Sequence, residues 1–264
     1  MPDATDTVRF WIDWYEAMGV TDAVGDRPRR FYDDGQSPAT AAARVPLPPP
    51  PSRRTTPATA DQPVEDARRI AGDCRTLDEL IAALAAFEGC RLRDTCMNLC
   101  VADGNPQARI MLIGEAPGAE EDRQGRPFCG PSGQLLDRML ATIGLTRNDV
   151  YITNLVFWRP PGNRAPTAAE IAICQPFLER QIELLRPALL QFVGGLSARA
   201  LLGLKDGVTR LRGRPYSYES GELGPIPALV MFHPAYLLRQ PAQKRLAWRD
   251  LLTMNETIGA LGLR

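Results

Sequence analysis

The sequence lacks several patterns that mark whole classes of protein. None of its apolar runs approaches the roughly 20 residues of a membrane-spanning helix. The acidic start, Met1 to Asp6, has no basic and then apolar leader. The two glycine patterns that cradle phosphates, G-x-G-x-x-G and G-x-x-x-x-G-K, do not occur. We therefore expect a cytoplasmic protein that does not enter membranes, and a nucleotide-binding function is disfavoured.

Excess charge of one sign is also absent, because 31 Lys and Arg balance 31 Asp and Glu. No global field therefore indicates nucleic acid. The distribution is less even. Between 199 and 249 there are nine basic residues, at 199, 205, 210, 212, 214, 239, 244, 245 and 249, against acids at 206, 219 and 222. Such an excess is as typical of a solvated surface as of a phosphate-binding face, so it permits DNA binding without indicating it.

Cysteines are few and form no C-x-x-C pair, which disfavours a zinc ribbon. The six cysteines lie at 74, 90, 96, 100, 129 and 174. A chain of 264 residues is too long for a small secreted domain held together by disulfides. The close spacing of Cys90, Cys96 and Cys100 leaves a metal cluster open, but buried thiols without a metal are the favoured interpretation.

Composition divides the chain into three segments. Residues 7–19 have the apolar spacing of a short amphipathic helix that ends near Gly19. Residues 44–63 are rich in proline, which predicts an extended linker. We therefore expect an amino-terminal helical appendage at 1–43, a Pro-rich linker at 44–63 and a compact domain at 64–264.

Four short apolar runs alternate with helical patterns in the compact domain. The runs cover 109–114, 150–155, 189–194 and 228–232, and the helical patterns cover about 132–143, 167–186, 196–202 and 242–260. Continuous apolar strands separated by helices are typical of a parallel sheet that is covered on both faces. The sequence therefore predicts an α/β fold with three α/β/α layers and a short four-stranded parallel sheet. Pro176 should kink or divide the second of these helices.

Polar side chains of three kinds follow the predicted strands. Glu115 follows the first strand, Asn154 ends the second, and His233, the single histidine of the chain, follows the fourth. The carboxyl ends of parallel strands meet at the edge of the sheet where ligands bind. Each residue has an ordinary alternative: a helix start for Glu115, a turn cap for Asn154 and a satisfied core histidine for His233. Their convergence on one edge favours an active site.

The segment that follows the first strand adds acids and an aromatic ring. Three consecutive acids, at 120–122, could bind a metal. The neighbouring Arg123 and Arg126 favour a solvated turn instead. Phe128 lies in a loop rich in Gly and Pro, where it could anchor the core or offer a flat surface to a planar ring.

These motifs resemble those of the family-four bacterial uracil-DNA glycosylases, which belong to the uracil-DNA glycosylase superfamily. The matching motifs are Gly114 to Gly133, Tyr151 to Arg164 and His233 to Arg239, and the resemblance covers about 87–253. It implies a DNA repair enzyme that flips uracil out of DNA, hydrolyses its N-glycosidic bond and leaves an abasic site. Residues 64–264 would then be the catalytic domain.

The resemblance also implies roles for individual residues. Glu115 would position or activate the attacking water, and His233 would donate to uracil O2. Phe128 would stack on the base, Asn154 would read its Watson–Crick edge, and Glu121 would crowd the 5-position and exclude thymine. The full uracil-binding set would be Gly114, Glu121, Phe128 and Asn154.

The DNA contacts implied by the resemblance lie in the second and third motifs. The residues that would meet phosphates are Arg159, Arg164, Arg239 and Lys244. Leu237 and Leu238 would supply an apolar wedge for the space that the flipped base leaves. We expect uracil-containing DNA, single- or double-stranded, as the partner of a monomeric enzyme.

The chain departs from the family where most members bind a 4Fe–4S cluster through four cysteines. Phe87 and Trp158 occupy two of the four ligand positions, and Cys90 and Cys174 occupy the others. Two thiolates do not complete such a site. We therefore expect no metal and no cofactor, with the two aromatic rings filling the volume. The residues that could complete an unusual cluster site are Cys96 and Cys100.

Two other functions remain open at this point. The same fold could release another deaminated base, such as hypoxanthine or xanthine, because the shape of the pocket selects the base. Alternatively, the protein could bind uracil-DNA without turnover or trap it covalently. Covalent trapping would need a histidine in the loop after Asn154, and residues 162–164 contain none.

Overall fold

The structure is a computed structural model that describes residues 62–263. The helix predicted at 7–19 and the linker predicted at 44–63, apart from its last two residues, lie outside the described residues. Gln62 and Pro63 begin helix α1. A proline is tolerated in the first helical turn, where its missing N–H has no helical partner. The division of the chain at residue 64 stays a prediction.

Residues 62–263 form nine helices and six strands. The helices are α1 (Gln62–Asp73), α2 (Leu77–Ala86), α3 (Ala119–Gln124), α4 (Pro131–Ala141), α5 (Ala168–Leu185), α6 (Gly195–Leu202), α7 (Val208–Leu211), α8 (Pro234–Arg239) and α9 (Lys244–Ala260). The strands are β1 (Ala102–Gly104), β2 (Ile110–Gly114), β3 (Tyr151–Asn154), β4 (Leu189–Val193), β5 (Tyr216–Ser220) and β6 (Gly224–Met231). Within these residues, no helix combines the length and apolarity that crossing a membrane requires.

The six strands form one sheet in the order β1-β3-β2-β4-β6-β5. The central strands β3, β2, β4 and β6 are parallel and are the four that the sequence predicts. The predicted count of four is wrong for the whole sheet, because antiparallel β1 and β5 extend its two edges. Both edge strands lack a continuous apolar run: β1 is three half-buried residues, and β5 includes exposed residues.

Helices cover both faces of the sheet, as the three-layer prediction requires. Along β2, Met111 and Ile113 point into one core, which α1, α2, α5 and α6 cover. Ile110 and Leu112 point into the other core, which α4, α8 and α9 cover. The alternation follows from the two-residue repeat of a strand, and burial on both faces explains why β2 is apolar throughout.

Helix α5 continues through Pro176 and is not divided there. The helix begins at a capping box in which Thr167 and Glu170 each accept the other's backbone N–H. Pro176 is buried, and its neighbours Phe177 and Leu178 are fully enclosed in the core. Of the two expected outcomes, a kink or a division, division is wrong, because this apolar packing outweighs the roughly 3 kcal/mol that an interior proline costs.

The topology fixes where a site can form. Strand β2 lies between β3 and β4. The chain passes from β2 to β3 on one side, and then crosses back to β4 on the other side of β2. In parallel α/β sheets a crevice opens at such a switch point, beyond the carboxyl ends of the strands. Gly114, Asn154 and Val193 end three of these strands, and His233 follows the fourth by two residues.

Candidate active site

A cavity of about 480 Å³ opens at this carboxyl edge of the sheet. Its walls include Glu115, Glu121, Phe128, Asn154 and His233, which come from three separate parts of the chain. The structure thus brings together every side chain that the sequence assigns to catalysis or uracil binding.

Glu115 is held at the amino terminus of α6. Its Oε1 accepts the backbone N–H of Leu196 at 3.3 Å. Burial raises the pKa of Glu115, while the Leu196 N–H and the charges of Arg199 and Arg239 oppose that rise. Gly194 allows the close approach, because it has a φ of 113° and a Cβ there would lie 2.6 Å from Oε1. The carboxylate is thus a partly desolvated base whose position is fixed by a helix end.

Asn154 ends β3 with its side chain enclosed, at 1% exposure. Its Oδ1 has no hydrogen-bond partner among the described residues. A buried acceptor without a partner is costly, so an atom of this kind that lines a cavity points to a donor on a ligand. Gly114 lies beside it, and a Cβ on Gly114 would overlap Oδ1 and approach the Phe128 ring to 2.6 Å.

Phe128 forms one wall of the cavity and stacks on His233. The two ring centroids are 5.4 Å apart and the ring planes meet at 28°. Phe128 is buried and takes a left-handed backbone conformation, with a φ of 53°. Gly133 makes this turn possible, because a Cβ there would overlap the Phe128 carbonyl. The carbonyl also accepts from the guanidinium of Arg147, so the wall is fixed from behind.

His233 caps helix α8, and this sets the state of its ring. The Nδ1 atom accepts the backbone N–H of Ala235 at 3.1 Å. Desolvation, assisted by the charge of Arg239, lowers the pKa of His233 from 6.5 to about 4. The ring is therefore neutral at pH 7, and because Nδ1 accepts, the proton resides on Nε2. His233 is thus a neutral hydrogen-bond donor.

Glu121 is a fixed wall of the cavity. Its Oε1 accepts the N–H of Gly130 at 2.9 Å, and its Oε2 accepts the N–H of Gly118 at 3.1 Å. These bonds join the loop before α3 to the start of α4, and both loops border the cavity.

The acids at 120–122 do not form the solvated turn that the sequence favoured. They belong to helix α3, whose inner face buries Glu121 and Asp122. Asp122 Oδ1 accepts the backbone N–H groups of Met97 at 2.7 Å and Asn98 at 3.0 Å. Among the three acids, the expectation of solvation holds for Glu120 alone, whose carboxylate pairs with exposed Arg123. Helical periodicity separates these roles, because adjacent residues of a helix point in different directions.

The predicted phosphate contacts lie in different surroundings. Arg239 and Arg164 line the cavity. Arg164 is also held by both carboxylate oxygens of Glu170, at 2.8 and 2.6 Å, and this pairing lowers the Glu170 pKa to about 2. Arg159 does not reach the cavity: its nearest carboxylate is Asp122 at 3.7 Å. The exposed Lys244 borders a different groove.

The predicted apolar wedge is reduced to one residue. Leu238 is 42% exposed, as a wedge requires. Leu237 is 1% exposed and packs in the core with α4 and α9, so its assignment to the wedge is wrong. The two leucines are neighbours on α8 and therefore point to different sides of the helix.

The four positions at which the resemblance implies cluster ligands contain two thiols and two aromatic rings. The Cys90 and Cys174 thiols interact with each other, which lowers the pKa of Cys90 and, together with burial, raises that of Cys174. Phe87 and Trp158 are buried in the same core. The Phe87 ring packs edge-on against Phe177, with centroids 5.2 Å apart.

Cys96 and Cys100, which could complete an unusual cluster site, donate hydrogen bonds to backbone carbonyls instead. Cys100 Sγ donates to the Glu121 carbonyl at 3.1 Å, and Cys96 Sγ donates to the Arg93 carbonyl at 3.4 Å. Across residues 62–263, no group of three or more His, Cys, Asp or Glu could hold a metal. The side chains at these positions therefore do not fit a cluster with four thiolate ligands.

Sequence reasoning missed the residues that hold the site from behind. Arg212 binds both carboxylate oxygens of buried Asp250, at 2.8 and 2.6 Å, and its guanidinium lies 5.3 Å from the centre of the Phe232 ring. Phe232 precedes His233 and lines the cavity, so this contact supports the wall of the cavity. No spacing pattern joins these distant positions. The Gly194-Gly195 pair at the end of a predicted strand was the one available signal for the close approach of Glu115.

Comparison with known proteins agrees with this geometry. The model of the Uracil DNA glycosylase superfamily matches residues 101–252. The type-4 uracil-DNA glycosylase of Archaeoglobus fulgidus is 36% identical over 188 residues, which are 70% of this chain and 94% of that protein. The type-4 enzyme of Thermotoga maritima is 40% identical over 165 residues, 61% of this chain and 84% of that protein. The type-5 enzyme of Pyrobaculum aerophilum is 37% identical over 121 residues, 40% of this chain and 53% of that protein. The chain therefore belongs to the uracil-DNA glycosylase superfamily and, within it, to the type-4 family.

Proposed function

We propose that this chain is a DNA repair enzyme that hydrolyses the N-glycosidic bond between uracil and deoxyribose, leaving an abasic site. The observation that carries the proposal is the meeting of Glu115, Asn154 and His233 in one cavity at the carboxyl edge of the sheet. These three side chains supply a base, an amide and a neutral donor. Hydrolysis of a flipped pyrimidine nucleotide needs all three.

Recognition of uracil is assigned to Asn154, Phe128 and Glu121. An amide offers one acceptor and one donor, which match the N3–H and O4 of uracil. The buried Asn154 Oδ1 without a partner supports this pairing. The Phe128 ring would stack on the base. The Glu121 carboxylate, held by two backbone N–H groups, would stand where the methyl group of thymine would project.

Departure of the base is assigned to His233. When the bond between C1′ and N1 breaks, its electron pair leaves with uracil, and negative charge spreads to O2. The Nε2–H of a neutral imidazole can donate to O2 at this stage. A donor aimed at developing negative charge is typically worth about 3–4 kcal/mol of barrier.

Attack by water is assigned to Glu115. The carboxylate would stabilise the positive charge that develops on the sugar, as in glycoside hydrolysis. It would also orient a water molecule toward C1′ and accept one of its protons as the new C–O bond forms. The hydrogen bond from Leu196 fixes its direction for this task.

Binding of DNA is assigned to the mouth of the cavity. The enzyme must flip uracil out of a duplex, or accept it from a single strand, because a stacked base does not reach such a cavity. Leu238 would fill the vacated space, Arg164 and Arg239 would meet phosphates at the mouth, and Lys244 would meet a phosphate at the neighbouring groove. Arg159 would also meet phosphates, from the same loop as Arg164. One chain completes the cavity, which supports action as a monomer.

We also propose that this enzyme works without an iron–sulfur cluster. Phe87 and Trp158 stand at two of the four ligand positions, and their rings take part in the apolar core. The remaining pair, Cys90 and Cys174, would be a buried thiol contact. Aromatic packing at these positions would provide the local stability that metal ligation provides elsewhere.

A panel of oligonucleotides with one lesion each tests the proposed reaction. Substrates containing uracil, hypoxanthine, xanthine or thymine, in single- and double-stranded form, are incubated with the enzyme, and free base is quantified. We expect release of uracil and no release of thymine. Release of hypoxanthine or xanthine without release of uracil would show that the enzyme acts on another base. A DNA–protein adduct that survives denaturation would show that the protein traps DNA covalently and does not turn over.

A further inference from the structure

A second recess lies beside the catalytic cavity, between helices α4, α8 and α9. It has a volume of about 350 Å³ and is lined mainly by apolar side chains, among them Leu135, Met139 and Leu251. Trp248 forms part of its wall and is 44% exposed. Trp158, in contrast, is enclosed in the core. An indole that remains exposed beside an apolar recess is a surface on which a planar group can stack.

Basic residues surround this recess, which we call the Trp248 groove. Arg138 and Lys244 border it directly. Arg245 lies one turn before Trp248 on the exposed side of α9, and Arg249, which follows Trp248 directly, is also exposed. Within residues 62–263, none of these four side chains forms an ion pair. The groove therefore combines an apolar floor with uncompensated positive charge.

The acids close to the groove are turned away from it or lie far along the helix. Asp137 is paired with Arg147 at 2.8 Å, and Asp250 is paired with Arg212 on the inner side of α9. The exposed Glu256 lies two turns beyond Trp248. The partner that this charge arrangement fits is anionic.

Helix α8 is the ridge between the two recesses. His233 and Arg239, at its two ends, border the catalytic cavity, and Leu237 borders the Trp248 groove. A helix with its side chains is roughly 10–12 Å across. At about 3.4 Å per nucleotide along one strand, roughly three nucleotides cover that distance. A strand that delivers a base to the cavity therefore passes within reach of the groove.

We propose that the Trp248 groove binds the DNA strand that flanks the flipped uracil, with an unpaired base stacked on Trp248 and phosphates held by Arg138 and Lys244. The inference rests on the proposed function, because it takes DNA as the substrate. Aromatic stacking together with a basic border is the usual means of binding single strands without sequence preference. The groove makes single-stranded DNA, or a duplex that opens beside the lesion, the preferred substrate.

Binding measurements on matched variants test the proposal. The probe is a uracil-free, single-stranded oligonucleotide with fluorescent label, and the readout is its Kd for the full chain. We expect Trp248→Ala to weaken binding by roughly tenfold, within the range for loss of one stacked base. The control is Leu252→Ala, which removes an equally exposed apolar side chain one turn further along α9 and outside the groove. This variant should bind like the parent.

Two more readouts separate stacking from loss of fold. Trp248→Phe keeps a ring and should recover most of the affinity, whereas general damage to α9 would not be rescued in this way. Lys244→Ala should reduce the slope of log K against log salt by about one. Equal Kd values for Trp248→Ala and Leu252→Ala would overturn the proposal. It would also be overturned if Trp248→Ala eluted from a sizing column as a smaller species than the parent, because the groove would then bind a second copy of the chain.

The outcome is independent of the excision assay. If the parent protein releases no uracil but binding still depends on Trp248, the proposed function fails, and the groove keeps its binding of single-stranded DNA but loses its link to a flipped uracil. If uracil is released and the Kd does not depend on Trp248, only the proposal on the groove is contradicted.

Discussion

The backbone N–H of Ala235 donates to Nδ1 of His233 at 3.1 Å, and this contact fixes where the imidazole carries its proton. A neutral ring that accepts at Nδ1 must donate at Nε2. The same contact begins helix α8, so the residue that caps this helix is also the one we propose as donor to the departing base.

The titration of His233 is the first prediction. Because desolvation lowers its pKa to about 4, the ring should stay neutral as pH falls through 6.5. The chain contains one histidine, so the imidazole carbon-bound protons in an NMR titration report this residue alone. A midpoint near 6.5 would contradict the neutral-donor assignment.

The same shift makes stability depend on pH. The folded state resists protonation of His233, whereas the unfolded chain binds a proton below about 6.5. His233 therefore favours unfolding increasingly as pH falls from 6.5 toward 4, and its effect is absent above 6.5. The acid loss of stability in this window should be smaller in a His233→Asn variant, measured by urea unfolding.

Gly114→Ala is predicted to damage recognition more than folding. The added methyl group would meet Asn154 Oδ1 and the Phe128 ring, both of which line the cavity. Either side chain must move out of the position proposed for uracil binding. We expect uracil release to fall at least tenfold, since misplacement of about 1 Å can cost a hundredfold in rate. A matched change is Gly72→Ala, where a Cβ has no neighbour within 4 Å. Full activity of Gly114→Ala would argue against this geometry.

Asp122→Ala is predicted to destabilise the fold. The change leaves the N–H groups of Met97 and Asn98 without their acceptor and removes the nearest carboxylate of Arg159. We expect a loss of about 3 kcal/mol in the free energy of unfolding, as for an unsatisfied buried hydrogen-bonding site. Glu120→Ala, on the exposed side of the same helix, should change it by less than about 0.5 kcal/mol. Equal changes in the free energy of unfolding for the two variants would indicate that Asp122 is as solvated as Glu120.

Iron analysis addresses the cluster. Protein purified without oxygen should contain no stoichiometric iron and show no visible absorption band, because two of the four ligand positions are Phe87 and Trp158. A Phe87→Cys and Trp158→Cys double variant restores four thiols with Cys90 and Cys174. This variant should take up iron during anaerobic reconstitution and serves as a positive control. Stoichiometric iron in the parent protein would refute the proposal of a cluster-free enzyme.

The sequence predicts the centre of this fold better than its borders. The strands that became β2, β3, β4 and β6 are buried on both faces and therefore read as continuous apolar runs. Edge strands β1 and β5 lack that signal because they are partly exposed. The expected division of α5 at Pro176 is wrong for a related reason, since local propensity does not include the packing of α5 in the core.

The site shows the same division. Glu115, Asn154 and His233 could be found because strand ends converge in a parallel sheet, a rule of topology that sequence reveals. Their supports could not be found, because contacts such as Leu196 with Glu115 and Arg212 with Phe232 join distant positions through the folded chain. Asp122 was misread because its basic neighbours in sequence point away from it in space.

Single-turnover release of uracil by the parent chain and His233→Asn tests the central claim most directly. Asparagine is a good helix cap, so this variant keeps an acceptor for the Ala235 N–H and loses the Nε2 donor. The account predicts that the parent releases uracil and that the variant, folded to the same extent by circular dichroism, is slower by about 10²–10³. Equal rates for the two proteins, or no release by the parent, would contradict it.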